Sequence, residues 1–246
     1  MEKYGICPLS LVPIRKEPAD KAEMISQLLF GETFEILELK KNWVSIKTSF
    51  DSVQGWIQTG QFASIENIDH SATPVLAADL VDVVTDSNGH LKTIVLGSEL
   101  THLQKIAHQF EGHSVSGETS KIGLMNFALM YLNSPGLNGG KSPFGIDASG
   151  FTQLVYRLTG HVLPRFLDQQ ALRGETLSFI EEAEPGDLVF FDNSNGDIVH
   201  TGILLTDNHV IHASEKVRID RLDQHGIYNE DTKQHSHQLR MLKKII

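Results

Sequence analysis

The chain has 246 residues, 40% of them hydrophobic and 21% charged, which excludes a disordered or fibrous protein and leaves room for two or three small domains, each with its own core. The formal net charge of −10 is spread along the chain with no basic stripe, which disfavours a phosphate-gripping nucleic-acid surface. A single cysteine, Cys7, excludes an internal disulfide and a cysteine-based metal site.

The first residues lack the apolar stretch of a secretory signal, and no window approaches the ~18 apolar residues of a membrane span. These features predict a cytoplasmic chain, or a periplasmic or exported one if a leader has been removed. The first third reads as small-barrel sequence. Met24 to Leu29 leads to Phe30-Gly31-Glu32 and an alternating strand over 33–39; a polar turn follows, then a strand over 43–47, and Gly55-Trp56-Ile57 closes the unit. Period-2 alternation with frequent turns favours an antiparallel barrel. The order Leu-x-x-Gly-Glu, strand, Trp-x-x-Ile, turn, Gly-Trp-Ile resembles a bacterial SH3-like domain over roughly residues 8–66. Such barrels serve for cell-wall binding or for packing on a neighbour.

A polar connector over 67–74 precedes a hairpin signal: Leu80 to Thr85, a turn at Asp86-Ser87-Asn88-Gly89, then Leu91 to Leu100. This stretch is read as a second, degenerate SH3-like segment, giving domains over 1–66, 67–115 and 116–246. His102, His108 and His113 match no metal-ligand spacing and are read as solvated surface residues.

From Glu118 the pattern becomes mixed. Ile122, Met125, Leu129 and Leu132 recur at helical spacing, and a Gly/Pro-rich loop over 134–145 leads to a second helix opening at Asp147-Ala148-Ser149-Gly150. That helix is expected to bury Phe151, Leu154, Val155 and Leu158 and to end at Gly160. Strands are expected over 187–191, 198–205, 209–213, 216–220 and 239–242; His235 and His237 suggest a metal pair but are read as part of the segment leading into the last strand. Helices followed by an antiparallel sheet make the fold class α+β.

Four motifs in order, Gly139-Gly140-Lys141-Ser142, Asp147-x-Ser149-Gly150-Phe151, Pro185 to Phe191, and His200-x-Gly202-Ile203 with Ile211-His212-Ala213, resemble the NlpC-type family of papain-like cysteine peptidases that cut bacterial cell-wall peptides. Leu163-Pro164-Arg165 and Gln169-Gln170 add to the match. The resemblance implies a papain-like domain in which a cysteine at a helix N-terminus is activated by a histidine on a facing strand. It assigns His200 as the general base and His212 as the group that orients it. The nucleophile position is Ala148, which has no ionisable proton, and Ser149 points about 100° away on the helix.

The family's Pro-Tyr-x-Trp-Gly-Gly reads here Pro135-Gly136-Leu137-Asn138-Gly139-Gly140, and the Asp and hydroxyl residue that follow Pro-Arg in the recycling-type branch are Phe166 and Leu167. An apolar pair cannot neutralise a buried substrate ammonium. Asp147, Ser149, Gly136, Asn138, Phe166 and Leu167 are therefore the expected substrate-binding positions, several of them altered. Departures at five positions favour natural loss of catalysis over a single introduced Cys→Ala change.

Three functions follow. The favoured one is a non-catalytic homologue of γ-D-glutamyl-L-diamino acid endopeptidases that binds a muropeptide-like or protein ligand in a remodelled cleft. The alternative is an active cysteine endopeptidase of cell-wall peptide degradation or recycling, seen with Cys replaced by Ala148. The third is a structural role with an occluded cleft. No metal, organic cofactor or nucleic-acid partner is expected, and the oligomeric state is left open.

Overall fold

The structure, a computed structural model, describes residues 3–246. It divides into two compact units, one formed by 1–117 with 138–143, the other by 118–137 with 144–246.

In the first unit, seven short strands make one antiparallel sheet: β1 (Tyr4–Ile6), β2 (Leu11–Arg15), β3 (Met24–Leu29), β4 (Thr33–Lys40), β5 (Trp43–Thr48), β6 (Gln54–Gln58) and β7 (Ala63–Ile65), in the order β3-β2-β6-β5-β4-β1-β7. Alternation decides the interior. Val12 and Ile14 from β2, Val44 and Ile46 from β5 and Ile57 from β6 point inward onto Cys7, Leu28 and Phe34, all fully buried.

Beside this barrel lie β8 (Val75–Ala77), β9 (Val81–Asp86), β10 (Leu91–Val95), β11 (His108–Gln109) and β12 (Ser114–Ser116). Strands β9 and β10 form the expected hairpin, and their Val84 and Ile94 build a second core with Ala77, Leu100 and Phe30. Phe30 comes from the turn after β3. Burial makes one correction here. His102 is only 6% exposed and His108 packs edge-on against Phe30 with ring centroids 5.4 Å apart, so only His113 of the three histidines is a solvated surface residue. His108 is half-buried, held by Phe30, Lys92 and the Ile106 carbonyl, contacts that the spacing of histidines does not reveal.

The segment 138–143 belongs to this unit through β13 (Lys141–Ser142). The amide of Lys141 donates to Gln27 Oε1 at 2.7 Å, and its ammonium pairs with Glu32 at 3.2 Å, both side chains almost fully buried.

The second unit opens with α1 (Lys121–Met130), capped by Ser120. Leu124 and Ala128 are its buried residues, whereas Ile122, Leu129 and Leu132 are exposed. The helical period was thus legible but its inward face is rotated, because the fully buried Tyr131 extends the 124–128 row. After β14 (Gly145–Ile146) comes α2 (Ala148–Leu158), buried along its whole length, ended by Gly160 at φ +84° with the amides of Gly160 and His161 closing onto Arg157 and Tyr156. A short α3 (Leu167–Gln170) follows.

The remaining strands are β15 (Glu175–Leu177), β16 (Leu188–Asp192), β17 (Ile198–Leu204), β18 (His209–Ala213), β19 (Val217–Asp223), β20 (Gly226–Asn229) and β21 (Gln234–Lys244). They run β15-β21-β16-β17-β18-β19-β20, and β20 also pairs with β21, closing six strands into a barrel. Val189, Phe191, Leu204, Val210, Leu222, Ile227 and Leu242 form a core of this unit. Helix α2 packs against β17 and β18.

Two expectations need adjusting. Strands dominate and helix is 14% of the chain, so α+β describes it only loosely; two closed or nearly closed sheets leave few connections long enough for helices. The last strand begins at Gln234 rather than Leu239, so His235 and His237 sit within it, held there by pairing with β20.

Candidate active site

The site lies in the second unit, where the N-terminus of α2 and the barrel strands it packs on carry the motif residues. Asp147 is the N-cap of α2 and accepts from the Gly150 amide at 2.7 Å. The same carboxylate takes a two-pronged ion pair from Arg165, whose guanidinium lies 2.9 and 2.7 Å from its two oxygens and is 1% exposed. Arg165 also donates to Ser149 Oγ at 2.7 Å, and Ser149 Oγ in turn donates to Asp147 at 3.2 Å. Gln170 adds a second tie, donating from Nε2 to the carbonyls of Ser149 and Pro164 and accepting from Thr152. The motif residues 163–165 and 170 therefore fasten the opening turn of α2.

Ala148 is the first residue of that helix and is 8% exposed. It presents a methyl group where the helix dipole and free N–H groups would favour an anion.

His200 on β17 and His212 on β18 are diagonal neighbours, because His212 pairs with Gly202. His200 Nε2 and His212 Nδ1 are 2.9 Å apart, and His212 Nε2 is 3.0 Å from Asp220 Oδ2 on β19. Arg218 pairs with the same carboxylate at 2.6 Å. A carboxylate only accepts, so His212 donates from Nε2 to Asp220, and His212 Nδ1 and His200 Nε2 share one hydrogen bond. Burial holds His200 well below the usual histidine range, with His212 and His237 adding to the shift. Burial would raise Asp220, but the hydrogen bonds from His212 and Arg218 outweigh it and keep the carboxyl low.

His237 on β21 stacks on His200, with centroids 4.1 Å apart and planes at 23°. Its own affinity for a proton is lowered to about 4, chiefly by burial. The ring covering His200 is His237; Phe166 is 37% exposed at the N-cap of α3, and Leu167 is half-buried. Gly136 has an amide that donates to Glu215 at 2.7 Å, and a Cβ there would meet Ser214 O at 2.2 Å. Asn138 is exposed, in the segment belonging to the first unit.

Asp220 and Arg218 are not singled out from sequence, and His237 is placed only in the segment leading into the last strand. The alternation of Val217-Arg218-Ile219-Asp220 puts Arg218 and Asp220 on one strand face, and register puts Arg218 opposite His212, a signal available only once the strands are paired.

A capped helix thus packs on a barrel whose adjacent strands β17 and β18 carry a bonded histidine pair. Residues 136–236 match the NlpC/P60 family, and residues 14–62 match the bacterial dipeptidyl-peptidase Sh3 domain. The chain carries an NlpC/P60 domain preceded by a bacterial SH3 domain. It is 26% identical to dipeptidyl-peptidase 6 of Lysinibacillus sphaericus, over 87% of this chain and 90% of that protein. It is 27% identical to the γ-D-glutamyl-L-lysine dipeptidyl-peptidase of Bacillus subtilis strain 168, over 86% and 75%. The crystal structure of an NlpC/P60 family protein from Bacillus cereus ATCC 10987 superposes with a TM-score of 0.82 at 17% identity, covering 98% of this chain and 99% of the other, a likeness of fold.

Proposed function

We propose that the chain is a non-catalytic homologue of γ-D-glutamyl-L-diamino acid peptidases, whose NlpC/P60 domain binds a muropeptide-like or protein ligand through a remodelled cleft. The observation that carries this reading is Ala148 at the first position of α2, where an acyl-enzyme would have to form. Neither nearby nor distant groups substitute. Ser149 Oγ is held between Arg165 and Asp147. Cys7 is fully buried and its thiol is pushed up to about 12 by that burial.

The recognition positions support the same reading. The aromatic residue of relatives cannot stand at 136 without moving the Ser214–Glu215 backbone. Phe166 and Leu167 offer no charge for a substrate amine. These are coordinated differences, beyond what replacement of one nucleophile would leave.

A second reading, an active cysteine endopeptidase seen with Cys replaced by alanine, is favoured by the intact His200–His212–Asp220 chain. One experiment separates the two. L-Ala-γ-D-Glu-diaminopimelate is incubated with the A148C variant and product release is followed by chromatography. The expected result is turnover no higher than that of the unaltered chain; robust hydrolysis would refute the non-catalytic reading and support the second. Calorimetric titration of the unaltered chain with the same peptide then tests binding.

A further inference from the structure

Away from the His200–His212–Asp220 chain, three side chains converge where the β19–β20 turn meets β21. Asp223 ends β19, His225 lies in the turn before β20, and His235 stands on β21 where it pairs with β20. His235 Nε2 is 2.8 and 3.0 Å from the two oxygens of Asp223. His225 Nδ1 is 3.6 Å from Asp223 Oδ1, and the two imidazoles have centroids 5.5 Å apart. One ligand atom from each of the three residues lies within 4.8 Å of the other two, and all three residues are exposed. We propose that Asp223, His225 and His235 form a binding site for a divalent transition metal ion of the zinc class.

The donor set argues for that chemistry. Two imidazole nitrogens and one carboxylate oxygen suit Zn²⁺, Ni²⁺ or Cu²⁺, whereas Ca²⁺ and Mg²⁺ need oxygen-rich shells. Donors 2.0–2.1 Å from a tetrahedral ion lie about 3.3 Å apart, and the separations from Asp223 Oδ1 to His235 Nε2, 3.0 Å, and to His225 Nδ1, 3.6 Å, bracket that value. Three protein ligands leave a coordination position for water or for a side chain of a binding partner. An ion there would cross-link the β19–β20 turn to β21 and close the intervening loop. This site is independent of whether Ala148 abolishes catalysis.

The full chain, treated with EDTA and dialysed, is titrated calorimetrically with zinc chloride, and its melting temperature is recorded with and without the ion. One equivalent is expected to bind and to raise the melting temperature. H225A, H235A and D223N should each weaken that binding at least tenfold, and H225A/H235A should abolish both the heat and the thermal shift. H90A and H113A, changes at exposed histidines of the first unit, should leave both unchanged. The far-ultraviolet circular dichroism of H225A/H235A should match that of the unaltered chain, since the side chains removed are exposed. Zinc binding or thermal stabilisation that survives in the folded double variant overturns the proposal, as does the absence of saturable binding by the unaltered chain.

Discussion

At the residue scale, the proton inventory of the histidine cluster makes a prediction about stability. His200 and His237 bind protons less readily in the folded chain than a free histidine does, His200 by a wide margin and His237 down to about 4. An unfolded histidine titrates near ~6.5. Below that value the unfolded chain takes up protons that the folded chain refuses, so this contribution to stability is complete above ~6.5 and is lost as pH falls through the folded values. The melting temperature is therefore expected to drop between pH 7.5 and pH 4.5. H237F keeps an aromatic ring on His200 but removes one titrating group, so it should flatten part of that drop. Equal slopes for H237F and the unaltered chain, measured by differential scanning fluorimetry, would contradict the assignment.

At the scale of elements, the opening of α2 depends on one ion pair more than on helix propensity. Asp147 caps the helix and also neutralises Arg165, a buried guanidinium tied to Ser149 as well. D147A should cost about 3–5 kcal/mol in urea unfolding, since removing one partner of a buried pair strands the other. D147N keeps the cap and should cost less. This element was the most legible in the sequence. Asp at the cap, Gly at the end and an apolar row between them are local signals, and the observed span of Ala148–Leu158 follows them. Helix α1 was legible in period but not in orientation, because its inward face depends on Tyr131 and on the helix it meets. The relay was half legible. His200 and His212 stand in motifs, whereas Asp220 and His237 reach the cluster through strand pairing, which no local pattern encodes.

At the scale of the whole molecule, the two units are built differently, and this can be measured. Both tryptophans, Trp43 and Trp56, lie in the first unit, so intrinsic tryptophan fluorescence follows that unit. Its segment 138–143 is held by Lys141, whose ammonium pairs with Glu32 out of contact with solvent. K141M should leave the Glu32 carboxylate buried without this cation and lower the fluorescence midpoint in urea, by about 3–5 kcal/mol in free energy. Replacing both partners by apolar residues of similar volume, K141M/E32L, should recover much of the loss. An unchanged midpoint for K141M would show that the pair contributes nothing. Sequence placed Gly139-Gly140-Lys141-Ser142 as a motif of the C-terminal domain, while in three dimensions its anchors, Gln27 and Glu32, belong to the barrel.

The burial of Cys7 has a practical consequence for that programme of variants. Its sulfur is enclosed by the barrel core and donates to the Leu9 carbonyl, and burial pushes its thiol up to about 12. The unaltered folded chain is therefore expected to react slowly with alkylating reagents. An A148C thiol would be the one fast-reacting sulfur in the protein. The pH at which iodoacetamide begins to label it would read out directly whether His200 can still draw a proton from that position, with or without any substrate.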